Sequence, residues 1–294
     1  MAGCGGMLGE AFHHEFRGDH ELRCTDIDVN APWLEFLDFR DREAYRKDVE
    51  GFRPDALFHL GAFTDLEYCE LNEEETYRTN TLAVENAVHI AEELNIPLLY
   101  ISTAGIFDGK QLSYDDWDAP NPLGVYARSK FMGERFVVEN ASRYLVCRAG
   151  WMMGGGPDKD KKFINKLVKQ LRAGKKELFV VNDKDGTPTY TRDFAANVKA
   201  LLEAELWGLY NMVCGGQTGR LEVARELIAQ LGLQDQVTVT EVSSDYFAEQ
   251  YFAERPPSER LVNRKLDLRD MNRMRDWRIA LTEYLDEFYS DLSI

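Results

Sequence analysis

Tyr126 and Lys130 are the residues of this chain whose types and spacing point most directly to chemistry. They stand four apart in a stretch of helical periodicity, so both side chains share one face. A free tyrosine has a pKa of about 10, too high for easy proton exchange at neutral pH, and a neighbouring ammonium favours the phenolate and lowers it. The pair reads as a proton donor with its tuner. Just upstream, the apolar run 98–103, LLYIST, ends in Ser102 and Thr103, and the Thr103 hydroxyl would serve the same oxygen. Such pairs also occur on plain solvated helix faces, so the surroundings must carry the argument.

Positioning those groups takes a buried strand that ends beside the helix, and residues 98–103 read as that strand. A turn-rich loop follows, then a helix opening near Pro122. Residues 21–27, 34–38 and 55–60 read as earlier strands, with a helix through Val49 and a long one over 73–94. Residues 144–148 are the next strand candidate. This alternation predicts an α/β chain built on a Rossmann-type doubly wound parallel sheet. The dinucleotide lobe is expected to span 1–150. A smaller C-terminal α/β substrate lobe takes up 151–294, with room for interleaving, and holds a helix at 163–173, a strand at 178–181 and a terminal helix at 281–292.

Gly3, Gly6 and Gly9 lie three apart ahead of an apolar helical pattern. Glycines there permit a tight turn, close approach of backbone to a pyrophosphate, and close helix packing. In a doubly wound sheet a central strand of about five residues should precede them. Only Met1 and Ala2 do, so the first strand is apparently missing. A start upstream of Met1, a trimmed chain, or a sheet completed in an unusual way would each account for this, and the first is preferred. Asp26 falls about 20 positions past the glycine turn, where an acidic residue binds ribose hydroxyls and repels a 2'-phosphate. That favours NAD over NADP. Asp28 reads equally well as an exposed turn residue, and His59, inside an apolar run, as a core histidine.

The formal net charge of −16 makes nucleic acid and anionic lipid unlikely partners. An anionic ligand must meet a local group of Arg and Lys. No apolar run approaches the roughly 18 residues of a membrane span, and the N-terminus lacks a signal-peptide layout, so a cytoplasmic location is expected. The five cysteines, Cys4, Cys24, Cys69, Cys147 and Cys214, are scattered without Cys-x-x-Cys spacing. Buried thiols are expected, and neither a disulfide framework nor a metal site.

Ser102-Thr103, Ile106-Phe107-Asp108-Gly109, Asn121-Pro122-Leu123, Tyr126, Ser129-Lys130 and Gly133-Glu134 together resemble the extended short-chain dehydrogenase/reductase superfamily, in its dTDP-4-dehydrorhamnose reductase branch. The run DKDGTPTYTRD at 183–193, with Asp185-Gly186, Pro188-Thr189 and Arg192-Asp193, and Arg255-Pro256-Pro257-Ser258 with Arg260-Leu261, extend the likeness through the C-terminal half; the second resembles the branch's Arg-Pro-x-x-Ser-x-Leu segment. The resemblance implies NAD(H) or NADP(H) held by Gly3, Gly6, Met7, Leu8, Gly9, Asp26, Asp38, Phe39, Gly61, Ala62 and Phe63, with Tyr126 and Lys130 at the nicotinamide ribose. It implies a role for Asn80 in organising the active-site end of its helix. It also implies a nucleotide-sugar substrate, touched by Thr103, Ala104, Trp151, Arg192, Arg255 and Arg260, whose ketone takes a hydride while Tyr126 protonates the oxygen. Trp151 reads equally well as a tryptophan packing the lobe interface, and a homodimer is an expectation of the same kind. Ala104-Gly105 stands where the branch usually has Asp-Tyr, which argues against dTDP-4-dehydrorhamnose itself and against a 4,6-dehydratase. A 4-epimerase and a non-catalytic, cofactor-binding regulatory subunit stay open.

Overall fold

The computed structural model describes residues 1–290. Its main sheet is parallel throughout. Tyr144–Ala149 pairs with Leu98–Thr103 on one side and with Gly208–Asn211 on the other, and Leu98–Thr103 pairs in turn with Leu57–His59. A second parallel pair, Thr25–Asp26 with Glu35–Phe36, extends the sheet beyond Ala2.

Ala2 joins the two parts. The Ala2 amide donates to Phe58 O and the Leu60 amide to Ala2 O, each at 2.8 Å; on the other side the Thr25 amide donates to Met1 O and the Gly3 amide to Thr25 O, each at 2.9 Å. This single residue bridges both neighbours, and among the described residues no strand of the expected length precedes the glycine turn, as the sequence predicts.

Side-chain alternation along the central strands divides two cores. Leu99 and Ile101 face Phe12 of the helix Met7–Phe16 and Phe194 of Thr191–Glu203, whereas Leu98 and Tyr100 face Tyr45, Val88 and Val137 on the opposite side. At 25 cal/mol per Å² these two apolar layers supply the main favourable term holding helices to sheet.

The predicted helix over 73–94 is interrupted. Glu73–Tyr77 and Ala83–Leu94 flank a π-helical turn, Arg78–Leu82, a feature often found at functional positions. The helix expected near Pro122 begins at Val125, where the Glu70 carboxylate accepts the Val125 N–H at 2.7 Å. The closing helix is Trp277–Phe288; the part of the predicted 281–292 helix past 290 lies outside the described residues.

The C-terminal half builds smaller sheets. Glu177–Val181 pairs with Thr238–Val242, Trp151–Met153 with Pro188–Tyr190, and Asp185–Gly186 lies between Thr218–Gly219 and Ser258–Glu259. Thr191–Glu203 and Gly208–Asn211 return to the main sheet and its helical layer.

Candidate active site

Thr103 closes the strand Leu98–Thr103, and Tyr126 lies in the first turn of Val125–Asn140, its ring meeting Thr103 Oγ1 beside Gly105. Lys130 follows one turn later, 4% exposed, its ammonium 4.2 Å from the centre of the Tyr100 ring. The helix register is fixed from behind. Ser129 Oγ donates to Tyr126 O at 2.8 Å, and Asn80 Nδ2 donates to Ser129 Oγ at 3.1 Å. The Asn80 side chain also accepts from Phe63 N at 2.8 Å and donates to Phe63 O at 3.0 Å. Asn80 sits inside the π-helical turn, so that irregularity ties the loop after Leu57–His59 to the helix of Tyr126.

Burial dominates the electrostatics. It pushes the Tyr126 phenol up to about 12, against the lowering effect of the Thr103 hydrogen bond and with a further push from Glu259. It pulls the Lys130 ammonium down to about 7, the Glu134 carboxylate opposing. The sequence expects Lys130 to lower the tyrosine. Instead desolvation raises it, because the lysine rests on the Tyr100 face and Thr103 is the tyrosine's partner. Glu134 is held by Arg148 in a buried pair at 2.6 Å.

The glycine turn has the form expected of a phosphate cradle. Gly3 has φ of +80°, and a Cβ there would sit 2.2 Å from Gly61, so the two backbones pack in contact. Gly6 is exposed and precedes the helix Met7–Phe16 with no side chain capping it. Its first-turn amides, on the buried residues Met7, Leu8 and Gly9, have no intrahelical partner. Asp26 lies beside the turn, one carboxylate oxygen accepting Gly5 N at 2.7 Å and the other Asp28 N at 2.9 Å. Lys159 Nζ crosses from the second half of the chain to Gly5 O at 3.2 Å. Asp38 is taken up by Arg40, which holds its carboxyl below the usual range, and Phe39 is buried edge-on to His59. His59 bonds Tyr45, and burial pulls it down to about 3: a core histidine.

On the substrate side Gly105 marks the convergence. A Cβ there would lie 3.2 Å from Glu259 Oε1, 3.5 Å from Thr103 Oγ1 and 3.9 Å from the Tyr126 ring. Trp151 donates from Nε1 to Glu259 Oε2 at 2.7 Å and packs on Gly186. Arg220 stacks on the Trp151 ring at 3.6 Å. Ala104 is buried in a small core with Phe107 and Val213. Arg255 pairs with Glu67 and Arg260 with Asp185, so both are already matched by carboxylates. Arg192 joins Glu287 and His14 on the helical layer, apart from the Thr103–Tyr126 group.

The family model for the RmlD substrate binding domain matches residues 1–290. The chain belongs to the RmlD substrate binding domain family. It is 30% identical to the dTDP-4-dehydrorhamnose reductase of Mycobacterium tuberculosis (strain CDC 1551), over 97% of this chain and 91% of that protein. Its fold is that of a dTDP-4-dehydrorhamnose reductase from Clostridium acetobutylicum, with a TM-score of 0.88 and 27% identity over 97% of each chain. An enzyme of the same name from Bacillus anthracis, solved in complex with NADP, also gives 0.88, at 25% identity over 97% of each chain.

The family's two separate motifs meet in space. A Cβ on Gly109, at φ +75°, would lie 2.6 Å from Pro257, and Ser258 Oγ donates to Leu112 O at 3.0 Å. Asp108 accepts from Asn121 Nδ2 at 3.0 Å and holds this loop closed. Counting along Arg-Pro-x-x-Ser-x-Leu from Arg255 places Leu261 at the leucine but Glu259, not Ser258, at the serine. That count was the available signal for Glu259. Arg220 had none, lying in no recognised motif.

Proposed function

We propose that this family member is an NAD(P)-dependent reductase of a nucleotide-linked keto-sugar, with Tyr126 as proton donor, Thr103 as its hydrogen-bonding partner at the ketone oxygen, and Lys130 at the nicotinamide ribose. The observation that carries this reading is the meeting of Thr103 Oγ1 and the Tyr126 ring at Gly105 beside the strand's end, with Lys130 one turn further along the helix. The exposed Gly6 and the uncapped helix behind it suit a dinucleotide pyrophosphate, held by the backbone around Gly3, Gly6, Met7, Leu8 and Gly9. When bound, a reduced nicotinamide supplies the hydride that the sugar ketone carbon takes up. Tyr126 gives its proton to the oxygen as the C=O bond becomes a C–O–H bond. Tyr126, which burial pushes up to about 12, carries its proton at neutral pH, as the donor in a reduction must.

Residues 1–150 would hold the dinucleotide and 151–294 mainly the sugar nucleotide. The Asp26 carboxylate at the glycine turn favours NAD(H) over NADP(H). The relatives' shared name supports the keto-sugar class, and Ala104-Gly105 supports a sugar other than dehydrorhamnose. Tyr126→Phe should bind NADH as the parent does and turn over about 100-fold more slowly or worse, as loss of a general acid does. Undiminished turnover in that variant would remove Tyr126 from the mechanism.

A further inference from the structure

The half-buried Arg220 guanidinium lies flat on Trp151 at 3.6 Å and 4.6 Å from the Phe163 ring centre. Among the described residues no carboxylate or other hydrogen-bond acceptor is paired with it. Its cationic neighbours are differently placed: Arg255 is paired with Glu67, and Lys162 donates to Thr64 O and Oγ1. A half-buried guanidinium with no protein acceptor on its five donors is open to an anion that completes it. Burial brings its pKa down to about 10, Glu259 opposing and Arg255 adding to the fall.

The position is rigid. Arg220 follows directly on Thr218–Gly219, which pairs with Asp185–Gly186, and that strand pairs with Ser258–Glu259. That small sheet sets Arg220 and Glu259 in fixed relation, and Trp151, from the neighbouring pair with Pro188–Tyr190, packs on its Gly186 between them. From Thr103 and Tyr126 the order outward is Glu259, then Trp151, then Arg220. An anion at Arg220 is therefore separated from the reacting ketone by the width of the tryptophan on which a sugar ring would rest.

We propose that Arg220 is the residue that captures the diphosphate of the nucleotide-sugar substrate, the role that paired Arg255 and Arg260 are not free to fill. This rests on the nucleotide-sugar reading above. The guanidinium fork offers two parallel N–H donors to a phosphate while its face stays on Trp151. In a protein of net charge −16, it supplies a local positive field at the mouth of the sugar site.

Calorimetric titration of UDP, dTDP, UDP-glucuronic acid, uridine and thymidine into the full chain, Arg220→Met and Arg220→Lys tests this, with NADH titration as the control. Both diphosphates should bind the parent more tightly than their nucleosides. Arg220→Met should weaken them about 10- to 100-fold, the size of one charge-assisted hydrogen-bonded pair, while NADH binding stays as it was and the lysine variant recovers part. Arg220→Gln, which retains a polar stem, gives the same comparison if the methionine variant is unstable. Diphosphate binding unchanged on substitution, or no tighter than nucleoside binding in the parent, overturns the proposal. So does a loss confined to UDP-glucuronic acid with UDP unaffected, which would make the anion a sugar carboxylate. Arg220-dependent UDP binding in a protein that reduces no keto-sugar would uphold this inference and sink the reductase reading alone.

Discussion

Lys130 is sealed against the Tyr100 ring, and its ammonium sits near 7 instead of the usual 10.5 because burial disfavours the charge. Below about pH 7 the folded chain carries that buried charge in full. Between about 7 and 10.5 the unfolded chain holds a proton that the folded one has lost, so this residue's contribution to stability rises with pH, by about 1.4 kcal/mol per pH unit at most. Lys130→Met should therefore raise the melting temperature more at pH 6 than at pH 9 in the cofactor-free protein. An equal gain at both pH values would mean the ammonium is solvated. At this scale the sequence was informative about identity and less so about environment. Thr103, Tyr126 and Lys130 were legible from type and spacing, but the direction of the tyrosine's shift was not, since it depends on burial in the fold and on the charge of Glu259, far away in the chain. Arg192, Arg255 and Arg260 were legible as cations, but their carboxylate partners Glu287, Glu67 and Asp185 were not.

The helix Val125–Asn140 is the element on which the site depends, and it is held at two levels. Asn80 fixes its first turn through Ser129. Lower down, Glu134 and Arg148 form a pair whose side chains are 3% and 4% exposed, tying the helix to the strand Tyr144–Ala149. Removing one partner of such a pair strands the other, so Glu134→Ala should cost about 3–5 kcal/mol in chemical denaturation. Replacing both at once, Glu134→Leu with Arg148→Met, should restore most of it. A single variant as stable as the parent would show that water already reaches Arg148. Strands buried on both faces were readable because their apolar runs are unbroken, as in LLYIST. The π-helical turn was not, since Arg78–Leu82 carries no glycine or proline to mark it. Nor was the one-residue bridge at Ala2, whose pairing comes from its neighbours and not from its own length.

The whole molecule consists of a parallel sheet that offers a glycine turn and a tyrosine from its strand ends, and a second half that reaches back over both. Lys159 reaches Gly5 and Arg255 reaches Glu67 from that second half, so fixed contacts tie the two halves together. The doubly wound class followed from strand and helix alternation. The return of Thr191–Glu203 and Gly208–Asn211 to the first sheet did not, because which sheet a strand joins is settled by its partners. Ligand chemistry was legible only through resemblance, since a charge of −16 leaves the local cations unidentified. Direct transfer of hydride to a sugar ketone is the decisive step. The most direct measurement is incubation of the chain with nucleotide-linked 4-keto-sugars and NADH or NADPH deuterated at the transferring position, followed by mass and NMR analysis of the sugar. The expected result is one deuterium on the former ketone carbon for each cofactor oxidised, with NADH used in preference. Cofactor that binds without transferring deuterium, or a pair of C4 epimers with no net cofactor oxidation, would contradict it.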